Sequence, residues 1–186
     1  GVHTAIIYIV IHVLTARYAD GCFLPKPERW VVLPDVHLPY EDKDTLRAVE
    51  HYMADHHWDG WLQLGDLIDF NELSRFEVGN NRLDKVGAIQ KSYAATSAFL
   101  DRHRKLVGPR CRMVYIEGNH EDRLRRYLWD KAPKLLGTTD ISKLYRLGDL
   151  GLKHVTYRDL HLIGNVTYTH DLGRSGSNAA RQSLLD

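Results

Sequence analysis

What most limits the fold of this chain is a short apolar run that stops at a polar cluster and gives way at once to a helix-forming segment. Arg112 to Asp122 reads RMVYIEGNHED: Met113 to Ile116 is strand-like, Glu117 and Gly118 end it, and Asn119-His120 precedes a helical pattern. Two earlier stretches repeat this plan. Trp30 to Leu33 runs into Pro34-Asp35-Val36-His37, and Trp61 to Leu64 runs into Gly65-Asp66-Leu67-Ile68-Asp69. The segments between them carry helical spacing. Leu46, Val49 and Met53 form a stripe on a helix capped by Asp42 or Asp44 and running to about Trp58. Val86, Ile89, Tyr93, Ala94 and Leu100 form another on a helix over 83–107, which Gly108-Pro109 terminates. A third helix covers 121–131 and stops before Pro133. Strands alternating with helices predict an α/β fold with a mainly parallel sheet. In such sheets, sites form at the carboxyl ends of the strands.

The flanks are read by the same rules. Residues 5–14, AIIYIVIHVL, predict a buried strand; residues 20–29, with two prolines and a glycine, predict a loop. A first segment of 1–29 is therefore set apart as an N-terminal extension from a domain over 30–186. Residues 71–82 read as a loop or short helix, 141–146 as one or two helical turns, and Gly148-Asp149 as a plain turn. Leu152 to Tyr157 predicts a strand. Residues 160–163 and 166–169 predict a hairpin joined at Gly164-Asn165, which delivers His170. A Gly/Ser loop, GRSGS, then leads into a helix at 177–185.

With 186 residues, 44% apolar and 26% charged, the chain has the composition of one soluble globular domain. Its net charge of +1 favours no particular partner. The run at 5–14 is shorter than the ~20 residues a bilayer-spanning helix needs, and it lacks the basic start of a signal peptide, so no membrane association is expected. Cys22 and Cys111 are far apart, which suits free thiols in a reducing, cytoplasmic setting.

A parallel sheet would bring the polar clusters, with His170, to one edge. Asp35 and His37 are two apart, and in extended backbone such residues point the same way. Asp66 follows a glycine, which permits close approach of backbone and ligand, and its two oxygens can bridge two cations. Asn119 offers an amide oxygen and His170 a ring nitrogen. Oxygen and nitrogen donors without thiolate favour Mn, Fe, Zn or Co. Two such ions can clamp a phosphoryl group, and one can acidify bound water. His120 is the candidate for proton transfer to a leaving oxygen, and Asp69 is placed to orient it.

DVH at 35–37, GDLID at 65–69, GNHE at 118–121 and the strand before His170 resemble, in order and spacing, the calcineurin-like metallophosphoesterases. The resemblance runs from about Trp30 to the end. It implies a β-sandwich flanked by helices and a dinuclear centre, with Mn²⁺ the first choice of metal. It implies Asp35 and His37 on one ion, Asp66 bridging, Asn119 and His170 on the other, and His120 as general acid paired with Asp69. The family closes its site with a Gly-His-x-His segment on a later strand. Residues 171–186 contain none, so the resemblance implies a domain incomplete at its C-terminus and one histidine fewer on each metal.

The expected substrate is a phosphate ester, with nucleic acid or a nucleotide among the candidates. Protein phosphatases of this superfamily carry arginine after the second Asp of the GD motif. Phe70 stands there, which favours a phosphodiesterase or nuclease-like activity over a protein phosphatase, with a phosphomonoesterase as the competing activity. The competing expectation is a non-catalytic module that keeps the fold. A doubly wound nucleotide-binding domain is disfavoured, since no strand leads into a glycine-rich phosphate loop. His51, His56, His57 and His103 fall on predicted helices and read as surface residues. Arg123, Arg125 and Arg126 read chiefly as a solvated helix face, with phosphate contact as the alternative.

Overall fold

A computed structural model describes residues 9–13, 28–74 and 87–172. The expected loop over 20–27, the stretch 75–82, the helix start at 83–86 and the Gly/Ser loop and helix beyond 172 lie outside the described residues.

Five strands form the main sheet, in spatial order β1 (Ile9–Val13), β2 (Glu28–Leu33), β3 (Gly60–Leu64), β4 (Arg112–Ile116) and β5 (Leu152–Val155). β2 to β5 run parallel. β1 pairs antiparallel with β2, and that pairing brings Glu28 and Arg29, expected in the loop, into the strand. Between the parallel strands come α1 (Lys43–Ala54), α2 (Ala88–Val107), α3 (Asp122–Lys131) and the short α4 (Ile141–Leu144). Asp42 caps α1 by accepting from the Asp44 and Thr45 amides. A hairpin of β6 (His161–Ile163) and β7 (Val166–Tyr168) forms a second, two-stranded sheet.

The strands bury both faces, as parallel sheets do. Alternation sends Val31, Leu33, Trp61, Met113 and Tyr115 into a core with Leu46, Met53, Phe99, Leu100, Leu124 and Leu128 of the helices. Trp30, Val32, Leu62, Val114, Ile116 and Val155 face the other way, against Ile163 and Tyr168 of the hairpin. The architecture is mixed α/β, a sheet with four parallel strands flanked by helices. Among the described residues, no helix is long and apolar enough to cross a membrane.

Two expectations about α2 need correction. Ala94 is exposed, not on the inner face; the buried stripe runs through Ser92, Thr96, Phe99, Leu100 and His103. His103 is therefore not a surface residue but fully buried. Partners explain how Ser92 and His103 can be interior. The Trp61 indole donates to His103 Nδ1 at 3.0 Å, and His103 Nε2 lies 3.0 Å from Glu50 Oε1. Ser92 Oγ donates to Glu72 at 3.2 Å.

Candidate metal centre

The strand-end loops after β2 and β3 are joined backbone to backbone. Asp35 N donates to Gly65 O at 3.2 Å, His37 N to Asp66 O at 2.9 Å and Leu38 N to Leu67 O at 2.8 Å; Asp69 N donates back to Leu38 O at 3.0 Å. Within these loops Asp35, His37, Asp66 and Phe70 have φ of 50°, 53°, 50° and 48°. Left-handed backbone costs ~1–3 kcal/mol at a non-glycine residue and persists only where surroundings impose it. The extended geometry expected for Asp35 and His37 is thus replaced by left-handed backbone at each.

Two glycines allow the loops to close. A Cβ on Gly118 would collide with Asp66, and one on Gly65, whose φ is +76°, would collide with the His170 ring. Both glycines stand where a neighbouring chain segment passes directly over the backbone.

All seven singled-out residues meet at this edge. His37 Nε2 lies 3.8 Å from Asp35 Oδ1 and 3.9 Å from Asp66 Oδ2. His170 Nε2 lies 3.3 Å from Asp66 Oδ2 and 3.2 Å from Asn119 Oδ1. Asp66 therefore stands between an Asp35/His37 side and an Asn119/His170 side. Asp69 Oδ1 is 3.0 Å from His120 Nδ1 and 3.1 Å from His37 Nδ1, so one carboxylate orients two imidazoles. His170 Nδ1 is held by Leu64 O at 3.0 Å, which turns its Nε2 toward Asp66.

The donor set fits divalent cations of the borderline class. Ligand atoms of Asp35, His37 and Asp66 all fall within 4.8 Å of one another. The electrostatics point the same way. Burial alone would lower the His37 pKa, but Asp35, Asp69 and Asp66 push it up to about 10. Burial likewise opposes a charge on His170, yet Asp66 raises it to about 9. Burial would raise Asp66 and Asp69, and the surrounding histidines hold both below the usual carboxylate range. The edge carries excess negative charge that protons on His37 and His170 balance, and a metal ion would take their place.

Sequence reasoning assigned no role to Glu121. It is fully buried and accepts from Asp66 N (3.0 Å), Leu67 N (2.8 Å), Ile68 N (3.3 Å), Gly118 N (2.7 Å) and the Tyr115 hydroxyl (2.9 Å). Burial, then the Asp66 carboxylate, pushes its pKa up, while the Gly118 amide and Tyr115 hydroxyl act the other way. One side chain thereby fixes the loops that present Asp66 and Asn119. The signal was a glutamate directly after Asn-His, yet only its backbone donors disclose its task. Glu117 does similar work: it meets His154 Nε2 at 2.8 Å and accepts from Tyr157 N at 3.2 Å, tying the ends of β4 and β5 together.

The arginines of α3 divide. Arg125 Nε and Arg126 Nε bond Asp122 at 2.6 and 2.7 Å. Arg123 instead donates to Asp69 O at 2.8 Å and to His120 Nε2 at 3.0 Å.

No family model matches the chain, and no solved structure matches it. It is similar to the Gene 54 protein of Mycobacterium phage D29, with 32% identity over 123 residues, 66% of this chain and 47% of that protein. The Gene 54 protein of Mycobacterium phage L5 is 32% identical over 110 residues, 59% of this chain and 42% of its own length. The chain spans about half the length of the curated relatives it matches.

Proposed function

We propose that this chain carries the metal-binding part of a calcineurin-like, metal-dependent phosphoesterase, acting on phosphate esters with diesters or nucleic acid favoured. The observation that supports the reading is the convergence of Asp35, His37, Asp66, Asn119 and His170 around the Asp66 carboxylate, with His120 and Asp69 beside it.

In this reading Asp35, His37, Asp66, Asn119 and His170 would hold two divalent ions, Mn²⁺ first. Bound there, they would polarise a phosphoryl group and acidify water. The chain's own residues do the rest. Asp69 holds the Nδ1 side of His120; its Nε2, which accepts from Arg123 here, would carry the proton for the leaving oxygen once Arg123 turns from it to the substrate. Glu121 keeps Asp66 and Asn119 in register through the backbone amides it accepts from. Phe70 is fully buried and packs edge-on against Tyr93, so the position after Asp69 offers no cation to a phosphoprotein.

The test is hydrolysis of a chromogenic phosphodiester and the matching monoester by the Mn²⁺-loaded chain, with Asp66→Asn and chelator as controls. Metal-dependent turnover, greater on the diester and abolished by Asp66→Asn, is the expected result. No turnover of either ester by a chain that holds Mn²⁺ favours the non-catalytic module. The substrates and partners of the whole protein belong to this proposal too, since the chain matches about half of its relatives' length.

A further inference from the structure

α3 brings three arginines to the neighbourhood of the site, and the structure assigns them different tasks. Asp122 is buried and draws both Arg125 and Arg126 to its carboxylate. Arg123, half-buried in the first turn of the same helix, has no carboxylate partner among the described residues. Its guanidinium lies on the Asp69 carbonyl and His120 Nε2. A guanidinium has five N–H donors in a planar fork, and these contacts occupy one on each terminal nitrogen. Among the described residues the remaining N–H donors are free to take an anion such as a phosphoryl group in bidentate contact. One of its two contacts is to His120 Nε2, so an anion held on that side of the guanidinium would lie beside the candidate acid.

We propose that Arg123 is a substrate-binding residue: its guanidinium holds a non-bridging phosphoryl oxygen on the leaving-group side of the phosphorus. The inference rests on the phosphoesterase reading and deepens it. Arg123, in the first turn of α3, follows His120, in the turn that leads into that helix, by three residues, so the residue that would protonate the leaving group and the residue that grips the phosphoryl oxygens lie side by side. Arg125 and Arg126 serve Asp122 and the helix.

The experiment measures binding of inorganic phosphate to the Mn²⁺-loaded chain by calorimetry, with bound Mn²⁺ counted in every sample. Arg123→Gln is expected to weaken phosphate at least ~10-fold with the Mn²⁺ count unchanged, as loss of a charge-assisted contact implies. Arg123→Lys should recover part of that loss, because it keeps the charge without the fork. Arg125→Gln should bind phosphate like the parent. In turnover, Arg123→Gln should raise KM more than it lowers kcat. An Arg123→Gln chain that keeps its Mn²⁺ and binds phosphate as tightly as the parent overturns the inference and leaves the phosphoesterase reading standing. A parent chain that holds Mn²⁺ but neither binds phosphate nor turns over esters overturns that reading, and the inference with it.

Discussion

His103 and His37 are both histidines beside a carboxylate, and the protein uses them in opposite ways. His103 is sealed between α1, α2 and β3. Its Nδ1 accepts from Trp61, its Nε2 faces Glu50, its ring stacks on Phe99 at 3.9 Å, and Arg102 already balances Glu50. Burial is the largest influence there and lowers its pKa, outweighing Glu50. The trio is a satisfied core network with a neutral ring. His37 is 27% exposed on its side chain and looks onto three carboxylates, with no arginine or lysine among the described residues contacting them through their side-chain oxygens. The difference lies in charge balance and not in residue type. An imidazole that shares one carboxylate with an arginine completes a fold. An imidazole among surplus carboxylates marks a place that takes up a cation.

Mutations can break or sharpen this contrast. The largest effect is expected at Glu121, where Glu121→Gln turns a donor toward backbone amides that need an acceptor. Loss of ~3 kcal/mol in urea unfolding is expected, together with loss of metal binding; a variant as stable as the parent would show that Glu121 does not hold the loops. Next comes the paired test. His103→Ala should cost ~2–4 kcal/mol by leaving a cavity and an unpaired Trp61 indole and Glu50, yet the folded fraction should bind Mn²⁺ normally. His37→Ala should weaken Mn²⁺ by ~100-fold, and the stability that it costs the metal-free chain should vanish as pH rises through about 10. Similar behaviour of the two variants would erase the distinction. Gly65→Ala is expected to cost ~1–2 kcal/mol through its left-handed φ and to displace His170, read as weakened metal binding.

The smallest effect is on the pH dependence of the metal-free chain. His103 has a folded pKa below its ordinary 6.5, so its stabilising contribution is present above 6.5 and is lost as pH falls. His37 and His170 have the opposite sign. Raised to about 10 and about 9, they contribute fully below 6.5 and lose that contribution as pH rises through those values. Urea midpoints across this range should fall at both ends. His103→Gln should flatten the acid limb and His37→Gln the alkaline one; the reverse assignment would contradict the account.

Much of the frame was legible in the residues. The runs ending at Pro34, Gly65 and Glu117 gave the parallel strands and the edge on which Asp35, Asp66 and Asn119 meet, because period and glycine placement are local signals. His103 was misread because its stripe on α2 is polar. Apolar periodicity cannot see Ser92 and His103 as inward, since their burial depends on partners far away in sequence. The route by which Asp35 and His37 converge was misread for a related reason: left-handed φ at both is imposed by pairing with the Gly65–Leu67 loop, a tertiary contact. Glu121 and Arg123 stood in plain view after Asn-His, but their tasks are set by the backbone amides and the carbonyl they reach across space.

The most direct test of the metal centre is a count of bound ions. The purified chain is dialysed against Mn²⁺, freed of excess ion and weighed intact by native mass spectrometry, with Asp66→Asn alongside. The account predicts close to two ions on the parent and their loss from Asp66→Asn. No ion on the parent, or the same number on both proteins, would contradict it.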